Sequence, residues 1–151
     1  MLKEFNVSTR ERYQLMDITD KVEEIVKESA IKDGLVLVFV PHSTAAILLT
    51  ENEEGLKEDW LDFLKKLVSG FDFLHNRVEE DKSSSSPSLS LRESSVVDDN
   101  ADSHILSGLL GQERILPVKG GRLIRGTWQQ IFLLELDGPR SRKIIVKMIK
   151  D

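Results

Sequence analysis

The segment DDNADSHILSGLLG, Asp98 to Gly111, places Asp98, Asp99, Asn100, Asp102 and His104 within seven residues, then turns apolar at Ile105, Leu106, Leu109 and Leu110. Carboxylates beside an imidazole are groups that hold a cation. Ile105/Leu109 and Leu106/Leu110 recur at helical spacing, Asn100, Asp102 or Ser103 is available as N-cap, and Gly111 suits the C-terminal stop. The polar group therefore falls at the mouth of a short helix, where unpaired backbone amides favour an anion. The plainer alternative is that the acids do no more than cap the helix.

The elements that must position this group follow from periodicity. Phe5 and Val7, then Tyr13 and Leu15, alternate with polar residues and predict two short strands joined as a hairpin near Thr9 to Arg12. Val22, Ile25, Val26 and, less strictly, Ile31 predict a helix capped by Asp17, Thr19 or Asp20 and stopped by Gly34. Leu35 to Val40 reads as a central strand covered on both faces, broken at Pro41 so that His42 is exposed at a strand end. Ala45 to Thr50 resumes an extended pattern, and Leu56, Trp60, Phe63, Leu64 and Leu67 predict an amphipathic helix ended by Gly70. From about 78 to 95 a four-serine run and a Ser/Pro stretch read as a loosely ordered excursion. The last third predicts a hairpin turning at Lys119 to Gly121, then two longer strands joined by the turn DGPR as antiparallel neighbours. Trp128 reads as core or interface.

Composition sets the limits. The 151 residues are 40% hydrophobic, enough for one domain with its own core. With 21 basic residues scattered among 26 acidic ones, net −5, nucleic acid is excluded as the main partner. The absence of cysteine, of a membrane-length apolar run and of a signal-peptide pattern predicts a cytoplasmic protein with no membrane partner, disulfides or thiolate ligands.

PHSTAAILLTENE, DNADSH and LPVKGGRLIRGTWQQIFLLELDGPRSR, with the spacing among them, resemble the YjbQ family, also described as the secondary thiamine-phosphate synthase family. The resemblance runs from about Phe5 to the C-terminus. It implies a single compact α+β domain of largely antiparallel sheet layers with two or three packed helices, assembled as a homotrimer, with a polar site near subunit boundaries. It also implies a metal at the histidines. His42 matches the PHSTA histidine, His75 in LHN the histidine ahead of the loop, and His104 that of a DAH-type motif, while Glu51 and Asn52 match an NEN-like segment. The implied reaction joins hydroxymethylpyrimidine diphosphate to a thiazole phosphate and releases pyrophosphate. The chain departs from the family pattern in its longer, Ser-rich segment after His75 and in DSH where DAH is usual.

His42, His75 and His104 are the three histidines of the chain. Three neutral imidazoles with one open position suit a catalytic divalent ion, zinc foremost and magnesium for a phosphate-dependent reaction. Their separation neither supports nor excludes convergence. In that reading His42, Glu51, Asp102 and His104 are catalytic, with Glu51 and Asp102 orienting imidazoles or acting as base on a metal-bound water. Ser43 and Thr44 would hydrogen-bond a small phosphorylated metabolite and Arg140 and Arg142 would hold its phosphate, with Asn52, Asn100 and, from GTWQ, Thr127 and Gln129 completing the substrate set. The plainer alternatives are a satisfied strand-end histidine for His42, a first-turn acid for Glu51 and a solvated strand for the arginines. The same groups would serve a metal-dependent hydrolase of a phosphorylated or carbonyl substrate. A non-catalytic trimeric module binding a metabolite or metal is the third reading.

Overall fold

The structure, a computed structural model, describes residues 1–76 and 99–151. The predicted excursion at 78–95 lies outside the described residues. Among the described residues, two antiparallel sheets and three α-helices give the α+β architecture expected from the sequence. β1 (Leu2–Ser8), β8 (Ser141–Lys150), β3 (Gly34–Phe39), β5 (Glu113–Lys119) and β6 (Arg122–Leu123) form the larger sheet in that order. The smaller sheet runs β2 (Gln14–Asp17), β7 (Gln130–Glu135), β4 (Ala45–Thr50).

The core lies between the sheets. Val36 and Val38 of β3, Ile144, Val146 and Met148 of β8 and Leu116 and Val118 of β5 face Ile47 of β4, Ile131 and Leu133 of β7, and Val22, Ile25 and Val26 of α1 (Thr19–Glu28). Each such fully buried side chain contributes about 1.5–3 kcal/mol. On the far side of the smaller sheet, Ala46, Leu134 and Leu136 meet Leu64 of α2 (Glu54–Val68) and Leu106 of α3 (Ala101–Leu110). Strands β4 and β7 are consequently covered on both faces. β3 is central, as expected, but only one of its faces lies on the core, so Leu35 is exposed and Leu37 and Phe39 are half-buried.

Two predicted hairpins do not form. β1 pairs with β8, from Leu2 opposite Lys147 to Ser8 opposite Ser141, whereas β2 pairs with β7 in the other sheet. The DGPR turn likewise carries the chain out of β7 into the larger sheet. Local alternation identifies a strand and its buried face; it carries no information on which distant strand will satisfy its backbone. The β5–β6 hairpin does form, with Gly120 and Gly121 at φ 59° and 72°, as its two-residue turn requires.

Gly34 does not stop α1. The helix ends at Glu28, where the Ser29 amide bonds back to the Ile25 and Val26 carbonyls. Gly34 opens β3 instead, at a point where a Cβ would lie 2.1 Å from the Ile149 carbonyl oxygen. Trp128 is 70% exposed and is not core within this chain. Among the described residues, no helix is long and apolar enough to cross a membrane.

Candidate functional site at the corner between the sheets

The two connections that defeat the hairpin expectation run side by side. Residues 9–13 link β1 to β2 and residues 136–140 link β7 to β8. The Thr9 amide donates to the Arg140 carbonyl at 2.9 Å, and the Gly138 amide to the Arg12 carbonyl at 3.1 Å. Any side chain at 138 would collide with this arrangement, since a Cβ there lies 2.2 Å from the Glu11 carbonyl oxygen. Helix α3 is pinned against the corner by Ser103 Oγ, which donates to the Leu136 carbonyl at 2.5 Å, and to β4 by Ser107 Oγ, which donates to the Ala45 carbonyl at 2.6 Å.

The polar stretch at the start of α3 does more than cap. Asn100 occupies the N-cap position without a side-chain capping bond. Its Nδ2 donates to Asp137 Oδ2 at 3.0 Å, and its Oδ1 lies 3.1 Å from His75 Nε2. Asn76 takes over the capping, its Oδ1 accepting from the Ala101 amide at 3.1 Å while its Nδ2 donates to Asp99 Oδ1 at 2.7 Å. Asp102 accepts from Arg12 Nη2 at 3.0 Å and from the Tyr13 hydroxyl. His104, two residues on, meets His75 edge to face with ring centroids 5.2 Å apart.

One proton position follows from this geometry. A carboxylate accepts only, so Asp137 fixes the Asn100 amide with Nδ2 toward it and Oδ1 toward His75. Asn100 Oδ1 is also only an acceptor. His75 Nε2 therefore carries the hydrogen, and in the neutral ring Nδ1 holds the lone pair.

The remaining candidates fall at two ends of the smaller sheet. In its register Ala45 faces Glu135 and Thr50 faces Gln130, so the ends are five residues apart, roughly 16 Å at about 3.3 Å per residue. His42, Ser43, Thr44, His75, Asn100, Asp102, His104, Arg140 and Arg142 belong to the Glu135 end. Glu51, Asn52, Thr127 and Gln129 belong to the other. There Asn52 donates to Asp17 at 2.9 Å, Gln129 closes its own turn by accepting from the Gly126 amide at 2.7 Å, and Glu51 and Thr127 are exposed. Glu51 is not a first-turn acid either; Glu53 caps α2. Within one chain these four residues do not reach the histidines.

Two anion-binding candidates are committed internally. Arg142 is buried, with Nε and Nη2 on Glu135 at 2.8 and 2.6 Å and Nη2 also on Thr44 Oγ1 at 2.9 Å. Arg142 Nε and Nη2 and the Thr44 hydroxyl are thus engaged within the chain, a commitment that the motif alone does not reveal. Arg140 is different. It rests on Asp137 through Nε and Nη2, is half exposed, and its Nη1 has no partner among the described residues. A cleft of ≈ 380 Å³ is lined by Arg12, Tyr13, Lys65, Asn76, Asp99 and Asp102 together with Phe71 and Phe73; it meets the histidine corner through Asn76 and Asp99, the sequence neighbours of His75 and Asn100, while Arg140 and the histidines do not line it. Arg12, Tyr13 and Lys65 carried no sequence signal, whereas Asp137 was visible in the ELDGPR motif and was passed over as a turn residue.

The histidines do not fit a three-ligand metal centre within one chain. Among the described residues, no three His, Cys, Asp or Glu side chains gather as metal ligands. His75 and His104 meet, but His42 Nε2 accepts the Lys143 amide at 3.0 Å.

Burial, together with the positive charge of Arg142, lowers the His42 pKa against a partial offset from Glu135. The folded state thus favours neutral His42. Its contribution to stability should be complete above about pH 6.5, the unfolded value, and be lost as pH falls through the lower folded value. An NMR titration should show the His42 midpoint below that reference; a midpoint above it would contradict the contact. Tyr13 shifts the opposite way, as burial and the Asp102 carboxylate hold its phenol protonated beyond the usual range.

Residues 3–151 match the family described as UPF0047 protein YjbQ-like. A UPF0047 protein of Archaeoglobus fulgidus is 42% identical over 147 residues, covering 97% of this chain and 99% of that protein. The UPF0047 protein YugU of Bacillus subtilis is 33% identical over 150 residues, 99% of each chain. Among solved structures, a YbjQ-like protein of unknown function from Sulfolobus solfataricus has a TM-score of 0.85 at 42% identity, covering 100% of this chain and 97% of its own. A protein from Aeropyrum pernix has a TM-score of 0.84 at 36% identity, covering 100% of this chain and 99% of its own. The quoted motifs and the fold agree: the chain belongs to the UPF0047 YjbQ-like family.

Proposed function

We propose that the chain is a transferase acting on a small phosphorylated metabolite at the His75–His104 corner, with thiamine-phosphate synthesis as its reaction. The observation carrying this reading is the His75–Asn100–Asp137–Arg140 chain of hydrogen bonds, whose neighbours Asn76 and Asp99 line a cleft that also holds Arg12 and Lys65. In the transfer, the C–O bond from the pyrimidine methylene to the diphosphate breaks, the diphosphate leaves with the electron pair, and the thiazole nitrogen forms the new C–N bond. The protein's task is to stabilise the departing charge, and cationic donors aimed at it are the effective means. Arg140 and Arg12 retain guanidinium N–H groups without partners among the described residues, and Lys65 Nζ stands 5.7 Å from the Tyr13 ring centroid with no carboxylate among those residues. His104 is placed to donate or accept a proton.

Zinc or magnesium enters this proposal only as a partner of the His75–His104 pair, since a third imidazole requires His42 to leave the Lys143 amide. An ion seated on the pair should copurify and be lost in His104→Ala; equal metal content in both proteins would remove the histidines as ligands.

The homotrimer is part of the same proposal. It is supported by apolar residues on the outer face of the larger sheet, where exposed Leu35 pairs across the strands with exposed Ile149 and with Pro117, and Leu37 with exposed Ile115. Light scattering should give three times 17.2 kDa; a monomer would overturn this. Cytoplasmic residence is proposed from the lack of cysteine, and cell fractionation tests it.

Pyrophosphate release should require both the pyrimidine diphosphate and the thiazole phosphate. Release without the acceptor would indicate a hydrolase, and saturable thermal stabilisation without release a binding module.

A further inference from the structure

Glu135, a buried acid in the ELDGPR motif, is absent from the candidate set read from the sequence, yet it is the group on which the corner is built. Its Oε1 accepts from the Leu136 amide at 3.0 Å, the Asp137 amide at 2.9 Å and Arg142 Nη2 at 2.6 Å. Its Oε2 accepts from Arg142 Nε at 2.8 Å and the Thr9 hydroxyl at 2.9 Å. Thr9 Oγ1 in turn accepts from the Arg140 amide at 2.9 Å. One carboxylate thus holds both ends of the turn that carries Asp137 and Arg140, and ties that turn to the connection bearing Arg12 and Tyr13.

We infer that Glu135 is the positioning residue of the site: by fixing the 136–140 turn it holds Asp137 against Asn100, and so sets the orientation and tautomer of His75. This rests on the proposed assignment of the His75–His104 corner as the site. Glu135 itself touches no ligand. Its effect is relayed through backbone amides to Asp137, and through the Asn100 amide to an imidazole whose nitrogens differ in role. Arg142 is the cation that allows the carboxylate to remain ionised at 0% exposure.

The test separates positioning from folding. Glu135→Gln leaves Arg142 buried without its anion, so in that variant loss of fold and loss of positioning are not separable. The double variant Glu135→Met/Arg142→Met removes both charges, an exchange that buried ion pairs often tolerate without loss of stability. Thr9→Val removes a single hydroxyl from the network at nearly constant volume. The readout is ring-nitrogen NMR at fixed pH, in which a chain with three histidines gives three assignable imidazoles. In the native protein His75 should show a fixed Nε2–H tautomer. In the double variant, and more weakly in Thr9→Val, it should become a tautomer mixture while thermal unfolding stays cooperative. Where turnover is measured, kcat should fall with little change in KM, by about 10²-fold, as expected when a reacting group is misplaced by ~1 Å. An unchanged His75 pattern in a folded double variant and in Thr9→Val would overturn the inference. Loss of the tautomer in a protein with no synthase activity would retain Glu135 as the positioning residue and discard the proposed reaction.

Discussion

Arg142→Ala should lower the stability of the protein by about 3–5 kcal/mol, the cost of stranding a buried charge. The removed guanidinium satisfies both Glu135 oxygens and the Thr44 hydroxyl, and Glu135 is fully buried. For a domain whose total stability lies in the range of about 5–15 kcal/mol, such a loss brings unfolding close to ambient conditions. Chemical denaturation should show an earlier midpoint with an unchanged slope. A change below about 1 kcal/mol, the value of an exposed ion pair, would show that the pair is hydrated in solution. The same network predicts an acid limb. Burial alone would raise the Glu135 pKa, but the Arg142 hydrogen bond, the Asp137 amide and the Arg142 charge together hold it below the ordinary carboxylate value; Asp137 is lowered against its own burial by Asn100 and Arg140. Stability from these two carboxylates is present above about pH 4.5, at ordinary carboxylate values, and is lost as pH falls through their depressed folded values.

Replacing His104 or His75 by Ala should reduce turnover about 10²–10⁴-fold, the usual contribution of a positioned acid or base. Neither ring belongs to the core, since His75 is exposed and His104 half-buried. Thermal unfolding should therefore stay near that of the parent. Asn100→Ala should share the defect in kcat, because it frees the His75 ring and unpairs Asp137 on that side. Full activity in both histidine variants would remove the pair from the chemistry. Equal loss in Glu51→Ala and Thr127→Val would instead show that the far end of the smaller sheet takes part.

The sequence made the elements legible and left their partners hidden. The spacing of Val22, Ile25 and Val26 located α1, and Ile105/Leu109 with Leu106/Leu110 located α3 together with its Gly111 stop. It could not show that β1 and β2 enter different sheets, because the hydrogen bonds deciding this are made to β8 and β7, more than a hundred residues away. The site divides in the same manner. His75, Asn100, Asp102, His104 and Arg140 were read from their chemistry and motifs, and the structure brings them to one corner. Arg142 carried the same chemical signal as Arg140, but the alternation of β8 turns Arg142 inward to Glu135. Glu135 and Arg12 escaped notice because a lone acid in an apolar strand and a lone arginine in a loop acquire roles only through contacts across the fold.

Ligand chemistry is proposed for the Glu135 end of the smaller sheet. The most direct measurement is an amide and imidazole NMR titration of the native protein with hydroxymethylpyrimidine diphosphate and with the thiazole phosphate. The account predicts saturable shifts at His75, His104, Asn100, Arg140 and Arg12, with Asn52, Thr127 and Gln129 unmoved. Shifts confined to Glu51, Asn52 and the turn at Thr127 to Gln129 would contradict it, and would move the site to the opposite end of β4 and β7.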